Sequence, residues 1–158
     1  MTWQERVDRL WGCFDDHGPA EFLAKMQALI AERPAHDAPA LFEHACAQDS
    51  VGHGDEAAPL YRRALSAGLT GLRRRRAVIQ LASTLRNLGQ AEQSVELLSR
   101  ERNAGSDELD DAVLAFLALA LVDLGREKEA VALALTALSH HLPRYNRSLA
   151  NYAAALAD

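Results

Sequence analysis

Residues 114–137 read LAFLALALVDLGREKEAVALALTA, and this stretch decides the fold. Its apolar residues recur three or four positions apart on both sides of one glycine, which is the period of an α-helix. That glycine, Gly125, marks the turn, because glycine readily adopts the left-handed backbone conformation that ends a helix. The stretch therefore predicts two helices joined by a short turn.

The same pattern occurs twice more towards the amino terminus. Residues 78–101 read VIQLASTLRNLGQAEQSVELLSRE and residues 41–64 read LFEHACAQDSVGHGDEAAPLYRRA, with turn glycines at Gly89 and Gly52. Small residues that would let two helices cross closely stand at matching positions: Ala45, Ala82 and Ala118 in the first helices, and Ala57, Ser94 and Ala130 in the second. A fainter copy near the start retains Phe22, Met26, Leu29 and Pro34, and the copies are spaced 35, 37 and 36 residues apart.

A repeat of this length resembles the tetratricopeptide repeat, a helix–turn–helix unit of about 34 residues. Residues 57–98, AAPLYRRALSAGLTGLRRRRAVIQLASTLRNLGQAEQSVELL, and the tail HLPRYNRSLANYAAAL resemble a family of small stand-alone bacterial tetratricopeptide proteins. The resemblance covers most of residues 20–156. It implies a right-handed superhelix of helix pairs with a final capping helix, and it implies no particular biochemical activity.

We therefore expect an all-α protein, an α-α superhelix of about nine helices, folded as a single domain over residues 1–158. The predicted helices cover 3–16, 19–32, 38–49, 56–67, 72–88, 90–102, 107–124, 126–141 and 144–156. They group into a degenerate unit 3–34, units 38–69, 72–105 and 107–142, and a capping helix 143–157. Asp37 and Ser106 are the predicted N-caps of their helices, and Pro143 is predicted to start the last one.

The composition is that of a folded protein, with 49% hydrophobic and 25% charged residues. The first residues are charged and lack the apolar core of a secretory signal, and no apolar run is long enough for a membrane helix. The two cysteines, Cys13 and Cys46, make no disulfide framework. These features predict a cytoplasmic protein that does not associate with membranes.

The net charge of −5 hides three blocks of alternating sign. Residues 1–56 carry net −7, residues 57–102 carry net +6 and residues 103–158 carry net −4. The basic block contains the run Arg73 to Arg76. No aromatic residues interleave this run and acidic segments flank it, which disfavours a nucleic-acid-binding surface.

A candidate binding strip follows from this block. In repeats of this kind the first helix of each unit lines the concave groove. In the middle unit one helix side would carry Arg76, Ile79, Gln80, Ser83, Arg86 and Asn87. We predict that Arg76, Gln80, Ser83, Arg86 and Asn87 contact a partner, because arginine grips carboxylates and phosphates in two places at once. The alternative is a solvated face whose arginines pair with acids of the flanking units.

The comparable helix sides of the neighbouring units differ. In unit 38–69 that side carries Phe42, Glu43, Cys46 and Asp49. In unit 107–142 it carries Ala112, Ala115, Phe116 and Leu119, a face too apolar to remain in water. We expect the residues after Pro143 to cover it, because the end of a solenoid needs a cap.

Catalytic, cofactor and metal motifs are missing from the sequence. It contains no glycine-rich phosphate loop, nucleophile elbow or metalloprotease motif. Cys46 and His44 would point in different directions on a helix, and the adjacent His140 and His141 would diverge. We therefore predict no enzyme activity, no cofactor and no metal.

The predicted function is a protein–protein interaction scaffold that binds a protein or peptide partner, with an acidic partner matching the basic strip. Two alternatives stay open. The chain could act as a self-associating structural module, forming a homodimer, or it could bind a small anionic ligand on the same strip.

Overall fold

The computed structural model describes residues 1–157 and is entirely helical over that range. Residues 1–157 form nine α-helices and a single 3-10 turn, Phe14–Asp16. The helices are α1 (Trp3–Gly12), α2 (Pro19–Ile30), α3 (Ala38–Ser50), α4 (Gly54–Ser66), α5 (Gly71–Asn87), α6 (Ala91–Arg102), α7 (Asp110–Asp123), α8 (Glu127–Ser139) and α9 (Asn146–Leu156). The predicted all-α fold class is confirmed.

The predicted turn glycines end their helices in the left-handed conformation. Gly52, Gly89 and Gly125 have φ values of 89°, 76° and 70°. At Gly125 the amide donates to Val122 O and the next amide, of Arg126, donates back to Leu121 O. This pair of bonds satisfies two carbonyls that the helix end would otherwise leave open. The repeated glycine is therefore a repeated helix stop.

The predicted end of α1 and the predicted starts of α7 and α9 are wrong. α1 ends at Gly12, and the residues up to Asp16 form the 3-10 turn. α7 begins at Asp110, so Ser106 is not its N-cap; the Ser106 hydroxyl donates to the Asp110 carboxylate in the loop before the helix. The predicted cap at Asp37 is confirmed, because its carboxylate accepts from the Ala40 amide at 2.9 Å.

The last helix starts three residues later than Pro143. Tyr145 has φ 68°, a left-handed conformation that interrupts a right-handed helix. The Asn146 side-chain amide then donates to the carbonyls of Ser139 and Leu142, each at 2.6 Å. These bonds tie the segment back to the end of α8, so α9 begins only at Asn146.

The chain divides into two compact units, Met1–Ala77 and Val78–Asp158, with the boundary inside α5. The interpretation as a single domain with the repeat limits given above stays a prediction. Asp158, the last residue of the predicted domain, lies outside the described residues. In residues 1–157 no helix is both long and apolar enough to cross a membrane.

The first unit packs its helices in sequence order, α1 on α2, α2 on α3 and α3 on α4. Its main apolar cluster is formed by buried residues of α1, α2 and α3. The Phe22 ring is central, with its centroid 5.0 Å from that of Trp11 and 4.8 Å from that of Phe14. Phe42 and Tyr61, both fully buried, join α3 to α4. Aromatic rings in tilted and edge-to-face contact thus fill much of the interior of this unit.

The second unit forms around a core of residues from α5 to α8. Its buried members are Ile79, Ala82, Leu98, Val113, Leu117, Ala118, Leu121 and Ala130. α6 packs on α7, α7 on α8 and α8 on α9. The predicted small residues lie where helices approach closely: Ala82 is fully buried, and Ser94 and Ala130 are 1% and 3% exposed. This close packing is the physical reason for the repeated small residues.

Candidate functional site

The five residues predicted to bind a partner share one side of α5, and we call Arg76, Gln80, Ser83, Arg86 and Asn87 the α5 strip. Arg76 and Asn87 are exposed, and the other three are half-buried. Ile79, which the sequence put on the same side, is only 6% exposed and belongs to the core of the second unit. Ile79 was not among the residues predicted to contact a partner, and it faces the apolar packing rather than solvent.

The four consecutive arginines Arg73 to Arg76, of which the last belongs to the α5 strip, do not form one basic surface patch. Arg75 is buried at 4% exposure, and Arg73 and Arg74 are half-buried. Successive residues of an α-helix point about 100° apart, so four consecutive arginines spread around the helix. Within the run only Arg76 is exposed.

Arg76 is held by the first unit. Its guanidinium carbon lies 5.2 Å from the centroid of the Phe42 ring, a distance typical of a cation–π contact. Its neighbour Arg73 donates through Nη2 to Gln4 Oε1 at 2.7 Å. The amino-terminal part of α5 is therefore anchored to both α1 and α3.

Glu43 lies at the centre of these contacts, although it is only 5% exposed. Trp11 Nε1 donates to Glu43 Oε2 at 2.9 Å, and Arg73 Nε lies 3.9 Å from Glu43 Oε1. Burial raises the pKa of Glu43, whereas the bond from Trp11 and the charges of Arg73 and Arg76 act in the opposite direction. The α3 side that corresponds to the α5 strip is thus closed by packing rather than open to a ligand.

Cys46 lies on the same buried side of α3. It is 5% exposed, and burial, the largest contribution, raises the pKa of its thiol to about 12. A thiol with so high a pKa has almost no thiolate at neutral pH and is a poor nucleophile. Cys46 is therefore a packing residue of the first unit rather than a nucleophile.

Arg86 is held by the second unit. Its Nη2 donates to Asp123 Oδ1 at 3.2 Å, and its Nε lies 2.7 Å from Asp123 Oδ2. The two side chains are 29% and 34% exposed, so the pair lies at the surface. The structure therefore gives Arg86 the acidic neighbour that the alternative interpretation of the strip expected.

An apolar surface lies next to this ion pair on α7. Leu119 and Val122 are 46% and 49% exposed, and Leu119 lies one helical turn before Asp123. Phe116 packs against the core of the second unit. α9 packs on α8 and leaves Leu119 in solvent, so the expectation that residues after Pro143 cover this face is wrong.

His140 and His141 converge instead of diverging. His140 Nδ1 lies 2.7 Å from Asp111 Oδ1, and His141 Nε2 lies 2.8 Å from Asp111 Oδ2. They share one carboxylate at the point where α8 has ended: Ser139 is its last residue and His140 is its C-cap. Across residues 1–157 no three or more histidine, cysteine or acidic side chains are grouped so that they could hold a metal ion.

Comparison with protein families supports the repeat assignment. The family model described as Tetratrico peptide repeat matches residues 38–156, which include all three well-formed copies of the pattern. No curated protein and no solved structure matches the chain. Repeats of this family generally mediate protein–protein interaction, and the family is typically a non-enzymatic scaffold. The chain, with its three turn glycines and its paired helices, belongs to the tetratricopeptide repeat family.

Proposed function

We propose that this chain is a scaffold that binds a peptide segment of a partner protein along the α5 strip. The observation that carries the proposal is the Arg86–Asp123 pair, which joins α5 to α7. Ser83 and Asn87 lie on the strip side of α5, and Leu119 and Val122 are exposed on α7 beside Asp123. The partner segment would be acidic and amphipathic. No catalytic step and no cofactor form part of this function.

The paired state of Arg86 is compatible with binding. A guanidinium has five N–H donors; Asp123 accepts a hydrogen bond from Nη2, while the Nε–H, 2.7 Å from Asp123 Oδ2, makes no hydrogen bond within residues 1–157. The Nη1 amino group is left for a partner carboxylate, and Asp123 holds the guanidinium in place. A side chain that is already ordered loses less conformational entropy on binding, which favours affinity.

The apolar neighbours suggest how a partner segment gains most of its binding energy. Leu119 and Val122 are both close to half exposed on α7. Covering apolar surface yields about 25 cal/mol per Å². Ser83 and Asn87 would then supply hydrogen bonds that orient the segment. The acidic residues of the partner segment would give specificity for this site, and its apolar residues would stabilise the complex.

The experiment is affinity capture from the native cell lysate, read by mass spectrometry, with the wild type beside Arg76→Glu/Arg86→Glu. The matched control is Arg100→Glu/Arg147→Glu, which changes the net charge equally at exposed positions outside the strip. A third variant, Arg86→Gln, removes one strip charge without placing a second carboxylate beside Asp123. Circular dichroism establishes that each variant is folded.

We expect the wild type and the control variant to capture specific proteins that the two strip variants no longer capture. If the folded strip variant keeps every partner, the strip is not the binding site. If the control variant loses the same proteins, capture depends on the net charge of the chain and not on the strip. If the wild type captures no protein, the scaffold function is refuted and self-association becomes the better explanation.

Self-association is a second candidate, and a stripe on α8 favours it. Val131 and Leu138 are 47% and 48% exposed, and Ala134 and Leu135 lie between them at helical spacing. Exposed apolar residues at these intervals are typical of helix–helix contacts. Light scattering tests this candidate: a dimer that becomes monomeric in Leu138→Glu supports it, and a monomer at millimolar concentration refutes it.

We further propose a cytoplasmic location. Within residues 1–157 neither Cys13 nor Cys46 forms a disulfide, and reduced cysteines persist in the reducing cytoplasm.

A further inference from the structure

A cavity in the second unit lies away from the α5 strip. It has a volume of about 490 Å³ and is bordered by α6, α7, α8 and α9. Volumes of roughly 300–1,000 Å³ are typical of small-molecule sites. The cavity therefore has the size of a ligand site.

The walls of this cavity are largely apolar. Leu117 and Leu121 of α7 and Leu133 of α8 form one side, and α9 contributes Ala150 and Ala154 on the other. Alanine side chains are short, so α9 borders the space without filling it. An occupant with a flexible hydrocarbon body would displace water from these walls, which is favourable.

The charge at the rim is positive. Arg126 contacts Glu129 through two hydrogen bonds of 2.7 Å, so these two rim charges compensate each other. Arg102 also borders the cavity and is exposed. Within residues 1–157 no hydrogen bond or ion pair engages its guanidinium. Among the described residues, the rim of this apolar space thus carries one positive charge in excess.

From this combination we propose that the second unit binds a small amphiphile, an acyl chain that ends in a carboxylate. The hydrocarbon chain occupies the space between α7 and α9, and the carboxylate pairs with Arg102. Arginine suits this role because its planar guanidinium accommodates both carboxylate oxygens. This site is independent of the α5 strip and of the proposed scaffold function.

The test uses decanoate as the probe and isothermal titration calorimetry as the readout, with the full chain. The neutral analogue decan-1-ol is titrated in parallel. Arg102→Gln removes the rim cation, and its matched control is Arg100→Gln, an exposed arginine of the same helix whose partner is Glu96. Ala154→Phe places a large side chain at the cavity, and its control is Ala155→Phe, which is exposed outside the cavity lining.

We expect decanoate to bind the wild type, to bind Arg102→Gln about tenfold more weakly, and to bind Arg100→Gln unchanged. Ala154→Phe should abolish binding and Ala155→Phe should not. Absence of decanoate binding at millimolar concentration would overturn the proposal. Equal affinities for decanoate and decan-1-ol, or an unchanged affinity in Arg102→Gln, would overturn the assignment of a carboxylate.

Discussion

Replacing Ser94 by alanine should stabilise the second unit. Ser94 lies on α6 at the crossing with the preceding helix and is 1% exposed. Its hydroxyl oxygen is buried without a hydrogen-bond partner among residues 1–157. The corresponding positions of the other two well-formed copies hold Ala57 and Ala130, which carry no polar atom in the side chain. The substitution therefore removes an unsatisfied polar group from a site that accepts alanine elsewhere.

The size of the effect follows from three contributions. A buried hydroxyl without a hydrogen bond costs about 1–3 kcal/mol. Alanine improves the helix propensity at this position by up to about 0.5 kcal/mol. Lost packing around the missing oxygen offsets part of the gain, by less than about 1 kcal/mol. We expect a net increase of about 1 kcal/mol in the free energy of unfolding, which raises Tm by about 3 °C for a chain of this length.

Urea unfolding followed by circular dichroism at 222 nm measures the change. The midpoint should rise in Ser94→Ala without a change in the slope, since the surface exposed on unfolding is the same. The reciprocal substitution Ala130→Ser is the matched control, because Ala130 is 3% exposed at the equivalent position. It should lower the free energy of unfolding by about 1 kcal/mol.

One result would refute this reasoning. If Ser94→Ala lowers the free energy of unfolding by about 1 kcal/mol or more, the hydroxyl makes a stabilising bond, for example to a buried water. An unfavourable Ala130→Ser beside an unfavourable Ser94→Ala would then show that the two copies are not equivalent.

Three further predictions concern the turn, the buried carboxylate and the surface ion pair. Gly125→Ala should lower the free energy of unfolding by about 1 kcal/mol, because φ there is 70° and space for the methyl group is open, so only backbone strain acts. Urea unfolding should show no such loss for Gly105→Ala, where the methyl group is equally unhindered and φ is not in the left-handed range. For Glu43, burial raises the pKa in the folded state above the ordinary value of 4.5, so the folded protein holds the proton more tightly. The free energy of unfolding of the wild type, relative to that of Glu43→Gln, should be greatest below pH 4.5 and should fall as the pH rises through the folded-state pKa of Glu43. A difference between the two proteins that stays constant from pH 4 to pH 8 would contradict this prediction. Asp123→Asn should cost less than about 1 kcal/mol of stability, because the pair is about one-third exposed. The asparagine amide oxygen can still accept the bond from Arg86 Nη2 and hold the guanidinium, while the competing negative charge is gone, so an acidic partner should bind more tightly in a fluorescence anisotropy titration; weaker binding would mean that the charge of Asp123 is needed to hold the guanidinium in place.

Much of the local structure could be predicted from sequence. Gly52, Gly89 and Gly125 mark helix ends because glycine tolerates positive φ, and that tolerance is a property of the residue itself. The N-cap at Asp37 likewise depends on atoms only three residues away. The predictions that failed, at Ser106 and Pro143, concern loops in which several polar groups compete for the same backbone amides and carbonyls.

The candidate site was predictable only in part. Helical spacing alone puts Arg76, Gln80, Ser83 and Asn87 on one side of α5, because 3.6 residues per turn determine that geometry. Whether a member of that side faces solvent or the core depends on which helices pack around it. Ile79 shares that helical spacing, yet it packs into the core of the second unit.

The sequence by itself therefore determined the all-α class, the repeat period, the turn positions and the family. These follow from short-range periodicity and backbone preferences. Tertiary structure alone decided that Asp123 holds Arg86, that Trp11 and Arg73 enclose Glu43, and that His140 and His141 share Asp111. All of these partners lie 29 to 37 residues apart in the chain. Contacts at such separations arise from how whole helices pack, because no local pattern encodes which side chain an arginine will meet across a helix interface.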